Sequence, residues 1–355
     1  MNQVSIVIKA YNEEAKIDAA IHSALNAATE FRQLDVGVEV VVADGLSTDG
    51  TAALATQWAP RAPVRVVQLK REVDRNCGAG VELGFQASRG QWVLFMDADM
   101  VLQPGFVGPA LAFLQTHPEC AGVAGVIEDA ELRNGTDRIR QQQGLSRDAG
   151  PQPWLNGGGL YRRAALMDVG GYAGDSRLAA FEEADLGLRL SRAGWTLERI
   201  PVLAMRHYGH EQPTWVVMTR RWRSGRFEAA GRLLRLHGLK PMGLRAWRLF
   251  VHPLVLLMAW VWTVAWWVQP AVPQPLSLAV VGPALMATGA VVHAGLKRDL
   301  VHVATSWLDW HLLMLGIVKG LMQPMPERQR RLSCRVLADG VLTRHPPHPS
   351  MQDAA

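Results

Sequence analysis

The sequence predicts an α/β domain with a mostly parallel, Rossmann-like sheet, followed by an α-helical membrane segment. Three observations carry that prediction. Apolar, β-branched runs of strand length alternate with helically spaced apolar positions over the first 215 residues or so, the pattern of a parallel sheet with crossover helices. The run at 92–96 ends abruptly in Asp97-Ala98-Asp99, and open α/β sheets bind ligands outside the carboxyl ends of their strands. Beyond about residue 248 charge thins out and uncharged stretches near bilayer length appear.

Residues 4–8, 38–43, 64–69 and 92–96 read as buried strands, and 199–205 as a last one. Between them, Ile17, Ala20, Ile21, Ala24, Leu25 and Ala28 are spaced as a helix with Asn12 as N-cap. Further helices are expected at 52–58, 78–87, 163–169 and 181–193. The polar stretch 129–153 reads as a loop over the sheet face.

The chain has 355 residues, enough for one large domain and an accessory segment. Its formal charge is +5 and 49% of its residues are hydrophobic. The basic blocks flank apolar segments, which favours an anionic membrane surface over nucleic acid; a solvated basic face is the plainer reading. Cys77, Cys120 and Cys334 have neither disulfide nor zinc spacing. No basic n-region and apolar h-region open the chain, so the first domain is expected in the cytoplasm.

Residues 249–268 and 276–295 read as two transmembrane helices, the first with Trp260, Trp262, Trp266 and Trp267 in its second half. Residues 304–323 are apolar but include Asp309, His311 and Lys319. Basic residues precede the first stretch, follow the second and follow the third. The positive-inside rule keeps all three blocks on one side only if the third stretch is re-entrant or interfacial rather than a span. A basic helix over 220–239 would lie on the membrane before the first span.

The carboxylates at the strand ends carry the chemistry. Asp97 and Asp99 repel each other and resist burial, and a divalent cation bridging them to a substrate phosphate would relieve both problems. Asp44 ends its strand and can accept hydrogen bonds from a ligand. Asp49 before Gly50 reads as a turn cap, and Glu13 and Glu14 suit a helix start. Asn156-Gly157-Gly158-Gly159 lets backbone approach a ligand closely. Trp154 could stack on a ligand ring or fill core.

In chain order, Tyr-Asn-Glu-Glu at 11–14, Ala-Asp-Gly-Leu-Ser-Thr-Asp-Gly-Thr at 43–51, Asp97-Ala98-Asp99, Gly-Gly-Gly-Leu-Tyr-Arg-Arg at 157–163 and Glu-Glu-Ala-Asp at 182–185 resemble the family 2 glycosyltransferases. These are inverting enzymes of GT-A fold, and the resemblance covers about residues 1–215. It implies that Ala10, Glu13 and Asp44 border the nucleotide, and that Asp99 and Asp97 hold Mg²⁺ or Mn²⁺ on the donor diphosphate; His207, after the last strand, is a candidate further metal or diphosphate ligand, a structural histidine being the plainer reading. Gly157 and Gly158 border the donor. A carboxylate of the Glu182–Asp185 cluster becomes the base, Glu183 first and Asp185 or Glu182 after it. This chain has Val81-Glu82 where many members carry Arg-Asn, leaving Lys70, Arg71 or Arg75 for the diphosphate. Arg221-Trp222 resembles the end of the acceptor-channel motif of processive members, but Met218 replaces its Gln. With Trp154, these residues are the acceptor candidates.

The expected organisation is a GT-A domain at 1–215, a basic interfacial helix or linker at 216–247, two transmembrane helices at 248–296, a re-entrant or interfacial helix, or alternatively a third span with its charges facing the bundle, at 297–325, and a basic, disordered cytoplasmic tail at 326–355. The expected protein is a multi-pass enzyme of the cytoplasmic membrane, its catalytic domain cytoplasmic. It takes a nucleotide-diphosphate sugar and a lipid-linked or glycan acceptor, with no nucleic-acid partner. A non-catalytic assembly partner with the same fold is the alternative. A nicotinamide oxidoreductase is excluded, because no Gly-x-Gly-x-x-Gly follows the first strand.

Overall fold

A computed structural model describes residues 3–143, 148–209, 211–241, 243–268, 281–297 and 299–340. Strands β1 (Gln3–Ala10), β2 (Gly37–Asp44), β3 (Val64–Leu69) and β4 (Trp92–Asp97) form the parallel half of one sheet. The other half holds β5 (Met100–Leu102), β6 (Cys120–Asp129), β7 (Gly150–Pro151), β8 (Gly159–Arg162) and β9 (Thr196–His207). With β10 (Cys334–Asp339), the order is β10-β3-β2-β1-β4-β8-β6-β9-β5, and β7 pairs with β9. Strands β1 to β4 bury both faces, which explains their nearly unbroken apolar runs.

Helices α1 (Ile17–Gln33), α2 (Thr51–Thr56), α3 (Cys77–Ala87), α4 (Val107–Thr116), α5 (Gly135–Gln143), α6 (Arg163–Asp168) and α7 (Glu182–Arg192) belong to this domain. One apolar layer, with Ile6, Ile8, Ile17, Ile21, Phe31 and Phe106, lies beneath α1 and α4. The other, with Val7, Val41, Leu83, Tyr161 and Leu186, lies beneath α3 and α7. The register aligns the strand ends: Ala10 sits opposite Asp44, and Lys9 opposite Asp97.

The second half of the chain departs from expectation in several places. The predicted loop at 129–153 contains α5, capped by Asn134 through bonds from the Thr136 and Asp137 amides. The basic helix expected over 220–239 is two helices, α8 (Thr214–Arg223) and α9 (Glu228–His237). Gly225, with φ +72°, breaks them, because few other residues adopt that conformation cheaply. The expected disordered tail is ordered where described. β10 pairs antiparallel with β3, with Arg65 clamping Asp339 at 2.9 and 3.0 Å and the Lys70 amide donating to Ser333. An open sheet edge with unpaired backbone groups is the reason this segment folds back.

Helices α10 (Leu244–Arg248), α11 (Val251–Val268), α12 (Val281–Lys297) and α13 (Leu300–Met322) follow. Among the described residues only α13 is long and apolar enough to cross a membrane, which fits the alternative of a span there better than the re-entrant or interfacial helix placed first. The expected spans at 249–268 and 276–295 appear as α11, of 18 residues, and α12, of 17 described residues. Neither meets that length and composition, so a multi-pass topology has no support from them. The link at 269–275 and the start of the second expected span lie outside the described residues. One side of α13 packs on α9, where Gly231 and Gly320 allow backbone approach.

Candidate active site

The site is a cleft at the carboxyl edge of β1, β2 and β4, roofed by α7 and the 155–158 loop. At the end of β2, Asp44 is fully buried and accepts bonds from the Ser47 amide, the Ser47 hydroxyl and Gln68 Nε2. The turn behind it is self-contained. Asp49 accepts from the amide and hydroxyl of Thr51, and Glu14 accepts from the Gly50 amide. Burial works against the Asp49 charge, but these bonds hold its carboxyl below its ordinary value, so Asp49 is a cap as expected. Ala10 lends its carbonyl to the Gly45 amide. Arg75 lies 4.5 Å over the Tyr11 ring at this rim, while Arg71 turns to Asp74 and Lys70 is exposed.

The antiparallel pairing of β5 with β9 brings His207 to Asp99. His207 Nε2 is 3.2 Å from Asp99 Oδ2, and its Nδ1 is 3.0 Å from Asp129 Oδ1. Burial lowers the His207 pKa, but the two carboxylates outweigh it and hold the ring up at about 9. Glu13 lies beside this acid group. Burial first, then Asp99, push its carboxyl up to about 7.

Lys9 occupies the centre. Its Nζ is 3.0 Å from both Asp97 Oδ1 and Glu182 Oε1, and its stem passes over Gly80, where a Cβ would come within 2.8 Å of Lys9 Cγ. Arg226, just past α8, adds a second positive charge facing Asp97, Glu182 and Glu183. Burial opposes the Glu182 charge, but Lys9 holds that carboxyl below its ordinary value. Glu183 has the opposite fate. Burial and the negative Glu182 push it up to about 7, and its Oε1 accepts from the Gly157 amide at 3.3 Å.

The glycine loop has geometric reasons. Gly157 and Gly158 have φ +70° and +111°, and a Cβ on Gly158 would lie 2.1 Å from the Phe95 carbonyl. Gly158→Ala should therefore cost about 2–4 kcal/mol of stability, read as a lowered urea midpoint with unchanged slope.

Three expected roles are not met by the geometry. Asp185 is buried, 2.9 Å from Arg189 Nε and 2.7 Å from His237 Nε2, so it anchors α7 rather than facing an acceptor. Burial raises its pKa, but Arg189 and His237 outweigh that and hold it below the ordinary value. A depressed carboxylate stabilises the fold above its unfolded pKa, about 4, and loses that contribution as pH falls through the lower folded value. Asp185→Ala strands His237 and Arg189 in the interior, and should cost about 3–5 kcal/mol, measured by denaturant unfolding at pH 7. Trp154 packs with the core under α7, where Gly187 gives it room. Arg221 and Trp222 lie where α8 meets α13. Lys319 of α13 is 5.7 Å over the Trp222 ring, and burial lowers the Arg221 pKa to about 9.

Sequence reasoning missed Lys9, Arg226, Gln68 and His237. Lys9 had one signal, a lone cation at the end of an apolar strand. The others come from elements whose position only tertiary packing fixes.

The donor set fits a divalent cation. Asp99 and His207 converge, Asp129 orients the imidazole as outer carboxylates do around metal-bound histidines, and Asp97 lies one residue before Asp99. Among the described residues no group of three or more acids, histidines or cysteines is already gathered as a metal site, and Mg²⁺ commonly completes its shell with substrate phosphates and water.

Residues 5–170 match the family model for glycosyl transferase family 2. An N-acetylglucosaminyl-diphospho-decaprenol L-rhamnosyltransferase of Mycobacterium tuberculosis is 27% identical over 212 residues, covering 48% of this chain and 66% of that protein. A putative glycosyltransferase, EpsE, of Bacillus subtilis is 24% identical over 195 residues, covering 54% of this chain and 68% of that protein. Other curated relatives are matched over only 26–40% of their length. Among solved structures, a mannosyltransferase of Pyrobaculum calidifontis, in complex with GDP-Man and Mn²⁺, superposes with a TM-score of 0.60 at 20% identity, covering 90% of this chain and 87% of that one. That likeness shows the GT-A fold.

Proposed function

We propose that this chain, which carries a glycosyl transferase family 2 domain over residues 5–170, transfers a sugar from a nucleoside-diphosphate donor to an acceptor hydroxyl with inversion at the anomeric carbon. The observation that carries the reading is Glu183. It is a partly buried carboxylate with a raised pKa, held by the Gly157 amide and one residue from a Glu that Lys9 keeps ionised.

Asp44 accepts bonds from the base once the Ser47 hydroxyl that covers its Oδ1 turns aside, and Arg75 faces the diphosphate. Glu183 takes the proton of the acceptor hydroxyl. The hydroxyl oxygen forms its bond to the anomeric carbon as the bond to the leaving phosphate oxygen breaks on the opposite face. The nucleoside diphosphate departs with the bonding electron pair, and Lys9 and Arg226 supply positive charge near that end of the cleft. A Mg²⁺ or Mn²⁺ held by Asp99, Asp97 and His207 would stabilise the charge on the leaving diphosphate.

The membrane reading rests on α11 to α13. Met258, Val291, Leu296 and Leu300 are 72–78% exposed, an apolar surface that water disfavours and lipid accepts. Arg220, Arg223, Arg245 and Arg248 are exposed on the helices that precede it in the chain. Because β10 returns to the catalytic sheet, the chain enters and leaves the lipid on one side, and any crossings are even in number. The decaprenol-linked acceptor in the mycobacterial relative's name agrees with a lipid-linked acceptor here. The test is transfer from a panel of nucleotide sugars to a polyprenyl-diphosphate-linked sugar in detergent with Mn²⁺. The expected product has the opposite anomeric configuration to the donor by NMR; a retained configuration contradicts the mechanism.

A further inference from the structure

We propose that the C-terminal strand β10 completes the nucleotide site, with Arg335 and Gln68 as positioning residues that orient Asp44. The inference rests on the reading of Asp44 as the base-binding carboxylate.

Asp44, Gln68 and Arg335 are direct neighbours across three adjacent strands. Asp44 of β2 is registered with Gln68 of β3, and Gln68 with Arg335 of β10. The bonds run in one direction. Arg335 donates from Nε, at 2.9 Å, and from Nη2 to Gln68 Oε1, and Gln68 donates from Nε2 to Asp44 Oδ2 at 2.7 Å. An amide side chain can ordinarily flip, presenting oxygen or NH₂ to the same partner. Here a guanidinium, which only donates, holds the amide oxygen, so the NH₂ group must face Asp44. A flipped Gln68 would set its oxygen against the buried carboxylate. Gln68 and Asp44 are 4% and 0% exposed, so water has little access to make up for the lost bond.

The arrangement ties nucleotide recognition to the part of the chain that follows the apolar helices. The strand does not depend on Arg335 to stay in place. The Arg65–Asp339 clamp, the Lys70–Ser333 and Gly340–Val64 backbone bonds and the buried Leu332 hold it. Arg335→Met therefore removes the orienting donor while leaving the strand paired.

The experiment uses the full chain in detergent and calorimetric titration with UDP, GDP, CDP, ADP and TDP. The preferred nucleotide should bind about ten-fold more weakly to Arg335→Met and Gln68→Met, the loss expected of a hydrogen bond to a charged group. The double variant should be no weaker than Gln68→Met, and Arg335→Lys should retain most of the affinity. The melting temperature of Arg335→Met, whose side chain is exposed, and kcat for donor hydrolysis at saturation should stay near wild type, while Gln68→Met, which leaves the buried Asp44 one bond short, should melt lower. Gln68→Glu pairs with Arg335 but repels Asp44, so it should bind weakly too. Wild-type affinity in Arg335→Met and Gln68→Met, with affinity lost in Asp44→Ala, overturns the positioning role alone. So does a fall in the melting temperature and kcat of Arg335→Met that parallels its loss of affinity. Wild-type affinity in Asp44→Ala overturns the underlying reading of Asp44, and the relay with it.

Discussion

Glu183→Gln should bind the donor nucleotide with wild-type affinity and lose about 10²- to 10⁴-fold in kcat, the range for removing a general base. The amide keeps the size of the side chain and can still accept from the Gly157 amide, so the loss reports proton transfer rather than collapse of the loop. The pH profile adds a second reading. A base works deprotonated, and burial with Glu182 alongside brings this carboxyl to about 7. Transfer should therefore rise with pH through about 7 and level off above it, tenfold per unit on the acid limb. Glu182→Gln removes the neighbouring negative charge that raises the Glu183 pKa, so the acid limb should move to lower pH. An unshifted limb in that variant, measured as kcat from pH 5 to 9, would argue against Glu183 as the titrating group.

Asp99→Ala is expected to be as damaging, by a different route. The variant should lose about 10²–10³-fold in kcat/KM, the scale of removing an electrostatic contact to developing charge. It should also lose Mn²⁺ binding in the absence of any donor, read by electron paramagnetic resonance. Asp99 faces His207 at 3.2 Å, so the variant leaves the imidazole in place beside Asp129, and the fold should persist. Full transfer in the presence of excess chelator, or wild-type turnover in Asp99→Ala, would remove the metal from the account.

The parallel half of the sheet was legible in the sequence because its strands are buried on both faces and read as plain apolar runs. The strand-end acids Asp44, Asp97 and Asp99 were legible for the same reason, since each ends such a run. Glu183 and Asp185 were not separable by sequence, two residues apart on one short helix. Burial against His237 and Arg189, from α9 and the next turn of α7, assigns Asp185 to structure. Short β5 and the late strand β10 gave no signal, because their identity as strands comes from partners far along the chain. Residues 220–239 were read as one helix because the apolar spacing continues across Ser224-Gly225, where only the positive φ of Gly225 turns the chain. Trp154 was ambiguous by composition, and it is partly buried and packs against α7.

The most direct test of the central claim is binding of nucleoside diphosphates to the full chain, followed by thermal shift with and without Mn²⁺, in wild type, Glu183→Gln, Asp99→Ala and Asp44→Ala. The account predicts that one base raises the melting temperature most, that Mn²⁺ enlarges the shift, and that Glu183→Gln keeps it. It also predicts that Asp99→Ala loses the Mn²⁺-dependent part and Asp44→Ala loses the preference for the base. No shift with any nucleotide, or the same Mn²⁺-dependent shift in all four proteins, would contradict it.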